Sequence, residues 1–512
     1  PVLPIGNAAT ATNGAYQGHW AMESFFGRAN YNFNDKYYVQ AAIRTDGSSN
    51  FGPANRWGVF PSASVAWRVS QETFFQSVDF INEFKIRLET GVTGNQGGGG
   101  IFGPLNSITT PWGTGFALGQ YGNENLKWEE TKTNNIGFNV AFLQNRIQLE
   151  GDFFIKKTDN LLTRNPLPAY LGTEGEGSIG TPWVNIGALE NRGWGFSVKT
   201  VNIDRAGLVW NTDFNISGFK TKVTDFYSET AFIERRPWFV GDTGSGNNWA
   251  QRAAIGEAPW LFRGYIYDGL FQSVEEINAS ALPVNNSGAE YPADPNNGIW
   301  VGDIKYKDLN DDGIIDERDK TNIGNPWPKF NFGLTNTFQY KGFELNVLVT
   351  AVYGNDVFNL LRYNNTNPNN INLGRNLLRE TFDYARLEGE GAATVLANPG
   401  TDIPRITYNN LNGNRLRFTD QYVEDGSYVR VKNISLAYAV PSKFLNGQEV
   451  VKSVRVVVGA QNLFTFTKYS GYDPEVGAYV GRDVASDNQS IGLDYGRYPL
   501  TPVYTFSVGV GF

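Results

Sequence analysis

The last strand-like segment of the chain alternates between large apolar residues and small or polar residues. The large apolar side chains share one face and are Tyr504, Phe506, Val508, Val510 and Phe512. This alternation predicts a β-strand, because side chains along a strand point to opposite faces at every second residue. In a membrane barrel, such a strand turns its apolar face to lipid and the other face to the lumen. A single strand of this kind fits a soluble β-sandwich equally well.

The same alternation recurs along the whole chain. It predicts about thirteen strands, at residues 20–33, 37–45, 58–69, 84–93, 132–142, 146–156, 191–202, 207–219, 330–340, 343–353, 427–439, 454–466 and 502–512. Many strand ends carry an aromatic residue, namely Trp20, Tyr37, Tyr38, Trp67, Phe153, Phe154, Tyr340, Tyr428, Tyr438, Phe464 and Phe466. Such clustering matches the girdles that place rings at the two membrane interfaces, so it favours a membrane barrel.

The connections between these strands alternate between short and long. Short turns lie at 34–35, 144–145, 204–206 and 341–342, and medium ones lie near 70–82 and 440–452. Long connections lie near 94–130, 157–190, 220–329, 354–426 and 467–501. Short turns on one side of the membrane and long loops on the other are typical of outer-membrane barrels, whereas long structureless loops are uncommon in compact soluble domains. We therefore predict an all-β fold, an antiparallel transmembrane β-barrel with long extracellular loops.

The predicted number of strands is odd, although bacterial single-chain outer-membrane barrels have even numbers. The first and last predicted strands run in the same direction, so these strands alone cannot close into an antiparallel barrel. We expect residues 1–512 to be the C-terminal portion of a barrel whose first strands lie outside this sequence. Within this portion, residues 220–329 and 354–426 are predicted to be long extracellular loops.

Composition narrows the class of protein further. The 512 residues carry 43 Lys and Arg against 51 Asp and Glu, a formal charge of −8, which argues against a nucleic-acid partner. The chain has no cysteine and one histidine, so disulfide frameworks, thiolate metal sites and multi-histidine sites are excluded. No run approaches 18 consecutive apolar residues, which excludes a transmembrane helix but leaves barrel strands open.

Several longer motifs resemble those of one protein family. They are YVQAAIRTDGSSN at 38–50, RWGVFPS at 56–62, KIRL at 85–88, TGNQ at 93–96, NLKWE at 125–129, NNIG at 134–137, YIYDGLFQ at 265–272, GNPWPKF at 324–330, VEDGSYVRVKN at 423–433 and QNLF at 461–464. From about residue 20 to 512, the chain resembles the SusC/RagA-like TonB-dependent outer-membrane transporters. These motifs are unusually specific to that family.

The resemblance implies a function and partners. It implies energy-coupled import of a bulky oligomeric nutrient, glycan or oligopeptide, across the outer membrane of a Gram-negative bacterium. It also implies a SusD-like surface lipoprotein as a lid, TonB as the periplasmic partner, and outer-membrane lipids around the barrel. Family members carry an N-terminal plug, a TonB box and the first strands of a 22-stranded barrel, which this sequence lacks. If this sequence contains the last thirteen strands of a 22-stranded barrel, the odd number of predicted strands is explained.

One loop carries the spacing of a calcium-binding motif. Residues 308–319, DLNDDGIIDERD, fit a calcium loop with glycine at position 6 for the sharp turn. The predicted ligands are Asp308, Asn310, Asp312, the main-chain carbonyl of Ile314, Asp316 and Asp319. Asp319 replaces the usual glutamate at position 12, and its shorter side chain has less reach for bidentate contact with the ion. The alternative is an acidic solvated turn, because Asp, Asn and Gly all favour turns. We favour a structural Ca²⁺.

Loop tryptophans and the final strand are the other candidate functional features. Exposed rings could stack on sugars or hold peptide side chains, and the candidates are Trp112, Trp238, Trp249, Trp260 and Trp300. For any one of them, packing within its own loop is the more common role. The alternating segment from Tyr504 to Phe512 ends in an aromatic residue and resembles the signal that the outer-membrane assembly machinery recognises.

Two other functions fit parts of the sequence. A secreted β-rich glycosidase could use paired carboxylates, which are plentiful, although the alternation of short turns with long loops argues against it. A passive porin would share the barrel but lack the plug and the TonB box. We expect a transporter that is not an enzyme. The sequence does not distinguish a glycan from a peptide substrate.

Overall fold

A computed structural model describes the fold. It describes residues 20–97, 103, 105–110, 113–165, 167–173, 178–235, 250–285, 287–445, 450–479 and 490–512. The chain divides into two compact units. The first unit comprises Pro1–Ala66, Leu88–Asn134 and Lys156–Ala188, and the second comprises Trp67–Arg87, Asn135–Ile155 and Leu189–Phe512.

A thirteen-stranded sheet dominates the structure, which confirms the predicted number of strands. The strands are β1 (Met22–Phe33), β2 (Tyr37–Ser48), β3 (Trp57–Arg68), β4 (Ile81–Asn95), β5 (Glu129–Phe142), β6 (Ile147–Asp159), β7 (Ala188–Arg205), β8 (Leu208–Asp225), β9 (Phe330–Tyr340), β10 (Phe343–Tyr353), β11 (Tyr428–Ala439), β12 (Ser453–Thr467) and β13 (Val503–Gly511). Each strand lies beside its neighbours in sequence. Pairs such as β1–β2, β9–β10 and β12–β13 are antiparallel, as in an up-and-down meander.

The short turns have the backbone geometry that tight antiparallel hairpins need. Lys341 and Gly342 join β9 to β10 with φ angles of 47° and 88°, and Tyr340 pairs directly with Phe343. Two central residues with positive φ match the right-handed twist of the flanking strands. Ala206 and Gly207 form the equivalent turn between β7 and β8. The turn predicted at 341–342 is therefore a hairpin turn, and the turn predicted at 204–206 lies at Ala206 and Gly207, because Asp204 and Arg205 still belong to β7.

Strand β3 carries most of its large apolar side chains on its exposed face. In β3, Trp57, Val59 and Val65 are each about half exposed, whereas the alternate residues Gly58 and Phe60 are buried. A soluble protein rarely leaves so regular a row of large apolar side chains in water, because each loses the free energy of burial. This row is the face that lipid covers in a membrane barrel. Within the described residues, no helix is both long and apolar enough to cross a bilayer.

The first unit brings several of the sequence motifs together in one small core. Phe51, Phe60, Leu126 and Trp128 are buried against one another, and the rings of Phe51 and Trp128 lie 5.1 Å apart. The Trp128 indole N–H donates to the main-chain oxygen of Arg56 at 3.2 Å. The RWGVFPS and NLKWE motifs therefore serve packing in this unit.

The long connections of the sheet contain secondary structure of their own. The short strands are Leu105–Thr110 with Gly113–Leu118, Leu162–Arg164 with Trp183–Asn185, Phe232–Arg235 with Gln251–Ala254, Leu261–Gly264 and Thr321–Gly324, Tyr267–Leu270 with Ile304–Tyr306, Leu282–Pro283 with Ile314–Ile315, Asp356–Asn359 with Val423–Asp425 and Leu493–Asp494, Leu387–Glu388 with Val395–Leu396, and Ala478–Tyr479 with Ser490–Ile491. Among the described residues, these connections also contain two short α-helices, α1 (Val274–Asn278) and α2 (Leu360–Asn365), and several 3-10 helices such as Pro368–Leu373 and Arg379–Asp383. The predicted loops are therefore folded segments.

Candidate functional site in the long connections

Three long connections of the second unit share buried cores, which we call the loop core. One cluster contains Phe262 from the β8–β9 connection, Phe358 and Phe418 from the β10–β11 connection, and Leu493 from the β12–β13 connection. A second cluster joins residues 265–315 to Ala385 and Leu396. Burial of large apolar side chains supplies most of the stabilisation in such clusters. The loop core is thus a defined structure that the three connections build together.

A buried ion pair joins two of these connections. Asp303 is fully buried, and its Oδ1 accepts a hydrogen bond from Arg405 Nε at 2.7 Å. Its Oδ2 accepts from Arg405 Nη2 at 3.1 Å and from the Trp300 main-chain N–H at 2.8 Å. Asn414 Nδ2 donates to Asp303 Oδ1 at 2.6 Å. Sequence reasoning missed this pair, because its members lie 102 residues apart and neither belongs to a recognisable motif.

A second buried ion pair fastens the last long connection to the sheet. Arg430, in β11, is almost completely buried. Its guanidinium donates to Asp473 Oδ1 and to Glu475 Oε2, both at 2.6 Å, and to Thr465 Oγ1 at 2.8 Å. Charge-assisted hydrogen bonds of this length are among the stronger polar contacts in proteins. The β12–β13 connection is therefore held against Arg430 of β11.

The calcium motif forms a tight loop around its first carboxylate. Asp308 accepts main-chain hydrogen bonds from Gly313 at 2.8 Å, from Asp311 at 2.8 Å and from Asn310 at 3.2 Å. These donors, with Gly313 contributing most, hold the pKa of Asp308 below its ordinary value. Gly313 has a φ of +85°, which glycine adopts without strain. The predicted position of the sharp turn at Gly313 agrees with this geometry.

The other carboxylates among the predicted ligands already have partners. Arg318 Nη2 lies 2.7 Å from Asp312 Oδ2 and 2.9 Å from Asp316 Oδ2, and its hydrogen bond with Asp316 lowers the pKa of that carboxyl group. Asp319 is fully buried and accepts main-chain hydrogen bonds from Leu309 at 2.9 Å and from Asp316 at 2.8 Å. Arg318 therefore supplies the positive charge that a bound cation would otherwise bring.

The loop fits a calcium site only in part. Asn310 Oδ1 accepts from the Asp312 main-chain N–H, and Ile314 pairs with Leu282 in a short parallel ladder. Among the described residues, no group of three or more His, Cys, Asp and Glu side chains is arranged to hold a metal ion. The predicted ligand set also includes the Asn310 side chain and the main-chain carbonyl of Ile314, which belong to none of these four side-chain types. Calcium binding stays a prediction.

The candidate tryptophans separate into three groups. Trp112, Trp238 and Trp249 lie outside the described residues. Trp300 is buried in the loop core, so it is a packing residue and not an exposed stacking surface, which corrects the prediction for this position. Trp260 is half-buried with a φ of +66°, and its main-chain oxygen accepts from Gln251 Nε2 at 2.9 Å. Of the described pair, Trp260 alone keeps a partly exposed ring.

The final strand β13 pairs with β12 along its whole length. Its apolar residues Tyr504, Phe506, Val508 and Val510 are all exposed, as is Phe512 directly after the strand. This exposure agrees with a lipid-facing row. The assembly-signal role of these residues stays a prediction.

Comparison with known proteins identifies relatives of the chain. The family described as "TonB dependent receptor-like, beta-barrel" matches residues 2–321. TonB-dependent receptor P3 of Formosa agariphila is 33% identical over 99% of this chain and 47% of its own length. TonB-dependent receptor SusC of Bacteroides thetaiotaomicron is 29% identical over 97% of this chain and 44% of its own length.

A solved structure shows the same fold. The structure of the RagAB peptide transporter aligns with a TM-score of 0.76 at 22% identity, over 96% of this chain and 47% of the transporter chain. At this level of identity, the likeness concerns the fold alone. The chain spans about half the length of the curated relatives it matches.

Proposed function

The chain belongs to the TonB-dependent receptor-like β-barrel family, it is of the SusC/RagA type and lies in the outer membrane, and we propose that the protein imports a bulky oligomeric nutrient. The nutrient is a glycan or an oligopeptide. Import is coupled to energy through TonB, and the protein binds and releases its cargo without changing it chemically. The observation that carries this proposal is the loop core, because three long connections fold together beside a sheet with an outward apolar face.

The proposal includes a lid and a metal ion. The likeness to SusC and to the RagAB transporter supports a SusD-like surface lipoprotein that covers the entrance. The turn at Gly313 and the oxygen atoms of Asp308, Asn310 and Asp312 support a structural Ca²⁺ in the 308–319 loop. Binding of the ion would release Arg318 from Asp312, since both cations would compete for the same carboxylate.

Uptake by whole cells tests this function. The gene is deleted and restored in the source bacterium, and the accumulation of fluorescent oligosaccharides and oligopeptides is measured with and without an intact tonB gene. We expect that one class of oligomer accumulates only when both genes are present. Accumulation that persists after disruption of tonB would identify a passive channel. Release of shortened products by the purified protein would identify a hydrolase.

A further inference from the structure

Arg415, in the β10–β11 connection, is a buried cation. It is 2% exposed, and its Nη1 donates to Gln421 Oε1 at 2.7 Å while its Nη2 donates to the main-chain oxygen of Asp402 at 2.9 Å. Both acceptors are uncharged. Burial lowers the pKa of Arg415 only to about 10, so the guanidinium stays charged at neutral pH. A buried charge is costly unless a counter-charge accompanies it.

The carboxylates of the neighbouring segments bind other groups. Asp402 Oδ1 accepts from the Tyr267 hydroxyl at 3.1 Å, and Asp420 Oδ1 accepts from the Tyr267 main-chain N–H at 2.8 Å. Within the described part of the chain, Arg415 forms no ion pair with either of them. The other acidic residues of this region have arginine partners of their own, namely Glu380 and Glu424 with Arg362, and Asp303 with Arg405.

A second arginine of the same segment increases the positive charge. Arg417 Nη1 donates to the Tyr265 hydroxyl at 2.9 Å, and its Nε donates to the main-chain oxygen of Asn412 at 3.2 Å. These acceptors are also uncharged, and Arg417 has no carboxylate partner among the described residues. The 413–422 segment therefore brings two guanidinium groups against the loop core, and neither contacts a carboxylate of the described chain.

Two buried donor groups in this cluster have no hydrogen-bond partner among the described residues. They are Arg415 Nε and the hydroxyl of Tyr363, which is 3% exposed. Both residues contact the ring of Tyr422, whose centroid lies 4.6 Å from Arg415 Cζ and 5.4 Å from the Tyr363 ring centroid. Burial raises the pKa of the Tyr363 hydroxyl, and the charge of Arg415 opposes this rise, so the two groups lie within electrostatic range of each other. Leaving buried donors unpaired costs free energy.

The backbone that presents Arg415 is strained. Its φ is +56°, in the left-handed region that residues with a Cβ rarely adopt. Strained residues of this kind persist only where the surrounding structure holds them, and they cluster at functional sites. The strain at Arg415 therefore supports a role for its guanidinium beyond filling space in the loop core.

We propose that a chloride ion binds beside Arg415 and accepts hydrogen bonds from Arg415 Nε and from the Tyr363 hydroxyl. The ion supplies the missing negative charge and needs only donors, which both groups provide. A water molecule would pair the donors but would leave the guanidinium without a counter-charge. Because Arg415 and Tyr363 are both buried, a single-atom anion fits the site better than a carboxylate or sulfate group of an oligomer does. The ion is structural and stabilises this part of the loop core.

Diffraction with bromide tests the site directly, because bromide replaces chloride and scatters X-rays anomalously. Crystals of the full-length transporter are soaked in sodium bromide. We expect an anomalous peak in contact with Arg415 Nε and the Tyr363 hydroxyl. A map that shows a water molecule there, or bromide only at other places on the protein, would overturn the proposal.

Amide hydrogen exchange tests the stabilising effect in solution. Exchange of the 413–422 segment is measured in sodium chloride and in chloride-free sodium gluconate at the same ionic strength, so that screening by salt is equal. A ligand that binds only the folded form slows local opening by the factor 1 + [L]/Kd, so chloride at ten times its Kd should slow exchange about elevenfold. Equal exchange in the two salts would contradict a chloride site.

Two tyrosine variants form a matched pair, because each removes one hydroxyl from the same cluster. Tyr363→Phe removes the proposed ligand, whereas Tyr422→Phe removes a hydroxyl that already bonds Thr366 Oγ1 at 3.1 Å. Tyr363→Phe should raise the chloride concentration for half-maximal protection about fivefold, and Tyr422→Phe should leave it unchanged.

Arg415→Met removes the charge and keeps a long side chain, so it should abolish the difference between the two salts. If this variant does not fold, the tyrosine pair and the bromide map still decide. A half-maximal chloride concentration that Tyr363→Phe leaves unchanged would place the ion elsewhere and refute the assignment.

Discussion

Removal of the buried carboxylate of Asp303 should loosen the loop core without unfolding the sheet. In Asp303→Ala, four hydrogen bonds disappear, two from Arg405 and one each from Asn414 and the Trp300 main chain. The guanidinium of Arg405 then stays buried without its counter-charge. Breaking a buried ion pair in this way costs about 3–5 kcal/mol. We expect the local stability of the loop core to fall by this amount.

Amide hydrogen exchange measures the effect where it occurs. At about 1.4 kcal/mol for each factor of ten, the change corresponds to an exchange rate in the 299–304 segment that is between about 140-fold and about 3,700-fold faster. Exchange in the strands β9 to β12 should stay close to that of the wild type. The matched control is Asp268→Ala, because Asp268 pairs with Lys305 at 3.2 Å on the surface. Such exposed pairs contribute at most about 1 kcal/mol.

A double variant separates the two causes of destabilisation. Replacing both partners, with Asp303→Leu and Arg405→Met, removes the lone buried charge and should recover part of the lost stability. Exchange in Asp303→Ala that matches the wild type within about threefold would refute the reasoning, since it would mean that the pair contributes little. A double variant as unstable as the single variant would show that the uncompensated charge of Arg405 does not cause the loss.

Three further predictions concern the calcium loop and the last strand. Combining Asp312→Ala with Asp316→Ala should leave the sheet folded and make the 303–320 segment more sensitive to protease. If the wild-type protein binds no calcium at millimolar Ca²⁺, the segment is an acidic turn and not a metal site. Because the pKa values of Asp308 and Asp316 are lowered in the fold, their ionised forms stabilise the loop above the ordinary carboxyl pKa, and this contribution is lost as pH falls through the lowered values. Protease sensitivity of the loop should therefore rise only in acid, and a rise near neutral pH would contradict this assignment. Deletion of Phe512 should reduce the amount of heat-modifiable barrel in the outer membrane more than Phe506→Leu does. If both variants assemble normally, the segment is an ordinary strand without a role as an assembly signal.

The strands and hairpin turns follow from local sequence, which is why they were predictable. In a strand such as β3, apolar and small residues alternate along the sequence, so the two faces of the strand can be assigned from the sequence. The turn at Lys341 and Gly342 lies between two segments with this alternation. The turn within the calcium motif is equally local, since Asp308 contacts residues two to five positions later. Local patterns of this kind depend only on backbone geometry and neighbouring side chains.

The loop core was not predictable for the opposite reason. Asp303 and Arg405 are ordinary charged residues until tertiary structure buries them together. Trp300 lies in a segment rich in glycine, asparagine and tyrosine, so its sequence context predicts an exposed ring. In the structure, Trp300 is buried in the same cluster as its neighbours Ile299 and Val301. Asp319 lies at a ligand position of the calcium motif, but in the structure its carboxylate accepts hydrogen bonds from the main-chain N–H groups of Leu309 and Asp316. In each case, contacts between distant segments decide the role of the residue.

The contrast between buried and exposed pairs indicates where the long connections can move. The Asp303–Arg405 pair and the Arg430–Asp473 pair are buried, so separating either one is costly. Exposed pairs such as Arg362 with Glu380 cost little to break. We therefore expect cargo to change hydrogen exchange around residues 362–382 and to leave residues 299–304 unchanged. Comparing exchange with and without an imported oligomer tests this, and a change confined to residues 299–304 would show that the buried pair is the part that moves.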